Sequence, residues 1–191
     1  LVRLAELCEG PLSDGDRARQ VWNDLLEIDP THLGALGALE KIHERAKNWQ
    51  ELISVLRQRE SVLDNESECR ELSRHIGEIY ERNLKDIDSA IAAYDEVLAR
   101  FGDDRETLGA LSRIYESGER WADLLEVILS ELQLVSEGPA RTELRFRAAE
   151  LMRTRTEDVE GAVDRYAELL EDSPGHAGAL ASLQTLRDGD Q

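Results

Sequence analysis

Little in this chain marks a catalyst, a membrane protein or a binder of nucleic acid. Cys8 and Cys69 are its only cysteines, and their spacing fits no metal or redox motif. No run of about 18 apolar residues could span a bilayer, and no signal peptide or twin-arginine stretch is present. Basic residues are in deficit, with 23 Lys and Arg against 41 Asp and Glu and a formal charge of −18. Such a charge repels a phosphate backbone, whose binding depends on clustered Lys and Arg, so nucleic acid is not expected as a partner. A basic peptide or protein surface is the more natural one, although the same charge also keeps an extended helical protein soluble. Phosphate-binding glycine loops, H-E-x-x-H, G-x-S-x-G and EF-hand loops are all missing, so neither catalysis nor a cofactor is expected. The compartment is left open, with the cytoplasm the default expectation.

What the chain does have is an internal period. A shift of 72 residues, made twice and without a gap, puts Trp22 on Tyr94 and Tyr166, and Leu26 on Leu98 and Leu170. It also superposes Leu36, Leu108 and Leu180, then Ala18, Ala90 and Ala162, then Glu6, Glu78 and Glu150, and finally Trp49 and Trp121. A strict period of this kind marks a repeat array, in which each unit buries its apolar face by stacking on its neighbours. Cys8 aligns with Tyr80 and Met152 and reads as a core filler.

Within each period the apolar residues recur at spacings of three and four, as on an amphipathic helix. Four prolines in 191 residues, with Glu, Leu, Ala and Arg abundant, favour helix throughout. The pattern predicts helices near 1–9, 15–28, 31–46, 49–64, 66–82, 87–100, 104–117, 120–136, 139–154, 158–171 and 175–187. Asp14, Asp86 and Asp158 fall at one position before a helix and read as N-caps. His32, His43, His75 and His176 are scattered across the repeat, and surface or capping roles fit them better than metal ligation; His32 and His176 align with Asp104 before another helix. Gly34, Gly37 and Gly109 lie in apolar helix stripes and are expected to let helices pack closely. No domain boundary or linker is visible, so residues 1–191 read as one array.

Ile76, Gly77, Tyr80, Ala90 and Tyr94 resemble the small and large residues of the tetratricopeptide repeat (TPR) family, a helix hairpin of about 34 residues. Ala5 and Ala149 replace Gly77 in the sister copies. The alternate hairpins depart from the pattern: Leu52 and Leu124 stand at the family's second-helix alanine, which is expected to push neighbouring helices apart. Trp49 and Trp121 just before them read as wedges between helices, with exposed anchors the alternative. The resemblance implies an all-α, right-handed superhelix of about five hairpins. The implied function is a non-catalytic scaffold that holds a protein or peptide along a concave groove. The alternative is an architectural or self-assembly segment with no discrete ligand.

In this family the first helix of each hairpin lines the groove. Taking register from Gly77, the implied groove positions are Glu6, Lys41, Arg45, Arg74, Glu78, Arg113, Arg145, Glu150 and Arg153. Their charges alternate from hairpin to hairpin, which suggests a ladder of ion pairs or a mixed-charge groove. At the chain's ends, Leu1 starts in mid-helix and the Leu180, Leu183, Leu186 stripe has no following helix. The expectation is a fragment of a longer array, or open ends that meet in a homodimer.

Relatives that clamp a C-terminal carboxylate do so with Lys and Asn at set groove positions. Here those positions hold Arg74 with Glu78, Gly37 with Lys41, and Gly109 with Arg113, and no Asn appears. A peptide array of chaperone-type C-terminal tails is therefore expected to give no binding, and tight binding would overturn this reading.

Overall fold

The computed structural model describes residues 1–9 and 14–189. These form α1 (Val2–Glu9), α2 (Gly15–Ile28), α3 (Leu33–Ala46), α4 (Trp49–Val62), α5 (Glu66–Glu78) and α6 (Ile87–Phe101). Then follow α7 (Arg105–Ser117), α8 (Trp121–Leu134), α9 (Pro139–Thr154), α10 (Val159–Asp172) and α11 (Ala177–Gly189). No strand occurs among the described residues, and the protein is all-α. One departure from the expected pattern is a π-helical turn, Ile79–Leu84, that carries α5 onward.

The ends of the helices follow from the polar residues at their boundaries. Asp14, Asp86 and Asp158 accept the N–H groups of Arg17, Ser89 and Gly161 at 3.1, 3.1 and 3.0 Å. Each of these aspartates also donates its own N–H six residues back, to the carbonyls of Cys8, Tyr80 and Met152. The three turns thus close by one device, with Lys85 and Glu157 in left-handed conformation to allow it. His32 and His176 cap with Nδ1, which accepts from Ala35 N at 3.0 Å and from Ala179 N at 3.1 Å. Asp104 caps α7 in the same place.

The chain gathers into two compact units, Leu1–Phe101 and a second beginning at Gly102. In the first, α1 to α6 pack each on the next, and the short connections fold them back as hairpins. Its cores are Ala5, Trp22, Leu36 and Leu39 around α1 to α3, and Leu52, Leu56, Leu72, Ile76 and Ile79 around α4 to the π turn. Trp49 packs half-buried against the second of these, as a wedge would. In the second unit α7 to α11 stack in sequence, with Ala149, Ala162, Tyr166, Leu169 and Ala179 at the centre of the last hairpin. Cys8 and Cys69 are both buried free thiols.

Two expectations need correction. Leu183 and Leu186 are not left waiting for a following helix: both pack on the α9–α10 core, and only Leu180 of that stripe is exposed. Gly37 and Gly109 do not serve close packing either, since a Cβ at either position would meet nothing within 4 Å. Gly77 does, because its Cβ would lie 2.6 Å from Cε1 of the fully buried Tyr94.

These glycines separate two effects. Gly77→Ala is expected to cost 1–3 kcal/mol by overpacking, more than the gain of up to about 1 kcal/mol in helix propensity. Gly37→Ala, in open space within α3, is expected to stabilise by up to about 1 kcal/mol. Urea unfolding of the two variants checks the opposite signs.

Candidate partner-binding surfaces

The expected groove positions fall into two groups. In the first unit Lys41 and Arg45 stand one turn apart on α3, both exposed and neither in an ion pair among the described residues. Arg74 and Glu78 on α5 are half-buried; Glu78 lies 4.0 Å from Arg82 on the next turn, and Arg74 has an interaction of its own. The expected ladder is not built through Lys41, which pairs with neither Glu6 nor Glu78. Lysine and glutamate on adjacent hairpins share a face, but sharing a face does not bring their tips within 4 Å. The pairs that do join helices here lie elsewhere: Arg59–Glu40 at 2.6 Å, Arg57–Glu96 at 3.8 Å and Arg100–Glu60.

In the second unit Arg113 is exposed on α7 and has an interaction of its own. Arg145 reaches from α9 to Asp172 at the end of α10. That pair borders a cavity of about 660 Å³ lined also by Pro139, Arg141, Ser173 and His176. Glu150 is the least available of the expected residues. Its carboxylate accepts from Arg153 at 2.7 Å, from the Tyr166 hydroxyl on α10 and from the Ser182 hydroxyl on α11. Burial pushes this carboxyl up, but the three hydrogen bonds together outweigh it and hold the group below its ordinary value of 4.5. Glu150 and Arg153 therefore form a polar tie among three helices.

Other cations act as struts. Arg70 donates to the Phe101 carbonyl at 2.7 Å, and Arg141 donates to the Leu132 and Val135 carbonyls at 2.9 and 2.8 Å. Both satisfy carbonyls at a helix C-terminus. Arg155 lies 4.6 Å over the half-buried Trp121 ring.

For His43 the expected surface or capping role needs correction. His43 is buried at the floor of a cleft of about 1020 Å³ between α2 and α4. Its Nδ1 has no hydrogen-bond partner, and burial holds the ring below its ordinary pKa, with Glu51 opposing that shift and Arg19 adding to it. The available signal was its phase, because Leu36, Leu39 and His43 continue one apolar stripe. Among the described residues no group of three His, Cys, Asp or Glu side chains could hold a metal ion, and no helix is long and apolar enough to cross a membrane.

Stacked hairpins of this length, closed by aligned caps and by small residues under aromatic rings, can be compared with known repeat families. Tetratricopeptide repeat models match residues 35–68 and 75–104. The chain is a tetratricopeptide-like repeat protein. Among solved structures it is similar to YrrB, described as a TPR protein with an unusual peptide-binding site. That match has 14% identity over 95% of this chain and 89% of that one, with a TM-score of 0.47. It is similar also to MamA, with 17% identity, 91% and 90% coverage and a TM-score of 0.49. The corresponding figures for PilF of Pseudomonas aeruginosa are 13%, 95%, 79% and 0.48. A comparison with curated proteins finds no match.

Two of the perturbed groups, His43 and Glu150, predict losses of stability in acid for this tetratricopeptide-like fold. Folding lowers the pKa of His43 below 6.5, so on acidification the unfolded chain takes up a proton that the folded one refuses. Stability is therefore expected to fall as pH drops below 6.5. Glu150, held below 4.5, adds a second loss only as pH falls below that value. Thermal melts across this range should show His43→Gln flattening the upper limb and Glu150→Gln flattening the lower one.

Proposed function

We propose that the chain is a non-catalytic scaffold that binds a protein or peptide along the helix faces carrying Lys41, Arg45, Arg74 and Glu78. In the second unit the corresponding face carries Arg113, Arg145, Glu150 and Arg153. The observation that carries this reading is the state of Lys41 and Arg45. In a chain with 41 acidic side chains, these two exposed cations, one turn apart, pair with no carboxylate among the described residues. Exposed ion pairs are worth little to a fold, so unpaired cations cost little in stability and stay open to a partner's carboxylate. The acidic remainder of the surface draws in a partner that is basic overall, so the fitting ligand is a segment of mixed charge. Tetratricopeptide repeats serve as interaction scaffolds, which agrees with this reading.

A second reading, self-assembly, is favoured by one feature. Leu1, Val2, Leu4 and Leu7 leave α1 with an exposed apolar face.

Affinity capture from the source lysate separates the two. Lys41→Glu with Arg45→Glu is expected to melt like the wild type, because neither side chain is tied into the fold, yet to lose a stoichiometric partner. If the variant retains the partner, or if neither form captures one, the groove reading fails. Concentration-dependent sedimentation then tests self-assembly.

A further inference from the structure

The second unit holds a site that none of the eight charged positions above touches. Between α7, the end of α8 and the start of α9 lies a cavity of about 330 Å³. Its walls are mainly apolar, from Leu134, Val135 and Leu144, and Leu134 has 45% of its surface exposed. This volume lies at the small end of ligand pockets, suited to one or two side chains.

Three features make it more than a packing gap. Gly109 stands in its wall, within α7, where a Cβ would meet nothing within 4 Å. A mid-helix glycine costs about 1 kcal/mol relative to alanine, and here no close helix contact explains it. What the missing side chain leaves is room. The rim is also fixed in advance: Arg141 ties the Leu132 and Val135 carbonyls, and Gly138, at a positive φ of 135° that suits glycine, turns the chain into Pro139. A socket formed beforehand loses less on binding than one that must be ordered. Finally, Glu131 projects into this wall without an ion pair. Burial raises its pKa, while Arg147, Arg105 (which also lines the cavity) and the Ser112 hydroxyl oppose the shift without cancelling it. Glu143 on the opposite helix is likewise unpaired.

We propose that this cavity is a docking socket for a partner segment that inserts an aliphatic side chain against Leu134, Val135 and Leu144 and sets a Lys or Arg between Glu131 and Glu143. The apolar walls select the first group. The two unpaired carboxylates, one of them half-buried, select the second, since a cation there relieves a desolvated charge.

The test is a fluorescence-anisotropy titration of the full chain into a labelled peptide of about five helical turns. The peptide carries leucine along one face and lysine on its flanks. Two control peptides replace the leucines by serine or the lysines by glutamate. Wild-type protein is expected to bind the first peptide and neither control. Gly109→Leu fills the socket and should weaken binding roughly tenfold. Glu131→Gln keeps the shape, removes the charge and should weaken it as well. Lys41→Glu with Arg45→Glu should leave it unchanged, which separates a failure here from a failure of the groove reading. Circular dichroism verifies that each variant folds, and if Gly109→Leu does not, Glu131→Gln decides. Equal binding by wild type, Gly109→Leu and Glu131→Gln overturns the proposal and assigns adhesion to overall acidity. Binding of the serine control, or no binding by wild type, overturns it too.

Discussion

The stack depends on an aromatic ring pressed against a helix that has almost no side chain to offer. Tyr94 lies on Gly77 so closely that not even a methyl group fits between them. Trp22 shares a core with Ala5, and Tyr166 with Ala149 and Ala162. Isolated helices of 8 to 16 residues are marginal in water, so these elements persist only because each is covered by its neighbours. Small residues let the backbones approach, and the ring fills the space with a large apolar area. Its hydroxyl then needs a partner where the ring emerges. Tyr94 finds Glu81 at 2.9 Å and Tyr166 finds Glu150, so the packing contact also fixes where one carboxylate of each hairpin must go.

That coupling explains what was legible in the sequence and what was not. The helices were legible because burial repeats with the chain's period: Gly15, Ile87 and Val159 open equivalent helices, as do Leu33, Arg105 and Ala177. The caps were legible because an aspartate or histidine before an apolar stripe has one obvious use. The ties of Glu150 were not legible, because register assigns a residue to a helix face without saying which neighbouring tip will claim it. Gly37 and Gly109 were misjudged for a related reason. Their phase places them in the stripe of α3 and α7, but whether anything stands opposite is a three-dimensional fact. The π turn at Ile79–Leu84 left no trace, since Cys8, Tyr80 and Met152 all accept the same six-residue bond and the gapless register is kept.

Charge is distributed by the same logic. With 23 cations for 41 acids, each arginine placed inside the fold is one that the surface lacks. Arg70 and Arg141 are committed to helix C-terminal carbonyls, and Arg100 and Arg153 to partly buried glutamates. Guanidinium suits such places because it spreads its charge over several donors and is less strongly hydrated than an ammonium group. Lys41 and Arg45 are among the exposed cations with no such commitment among the described residues, and lysine in particular is a poor strut.

Gly109 and Glu131 oppose stability in two independent ways at one place. The glycine forgoes helix propensity with no packing contact in return, and the glutamate keeps a charge in a wall that resists it. Repeat arrays are forgiving of such losses, because each unit's stability is a sum of local and nearest-neighbour terms and a neighbour can absorb a local deficit. The buried Tyr166 hairpin next in the stack, with its three-helix tie at Glu150, is such a neighbour. Two such costs on one small cavity are hard to attribute to folding, because alanine at 109 would meet nothing and the partners of Glu131 do not offset its burial. They are the costs expected of a surface shaped for something outside the chain.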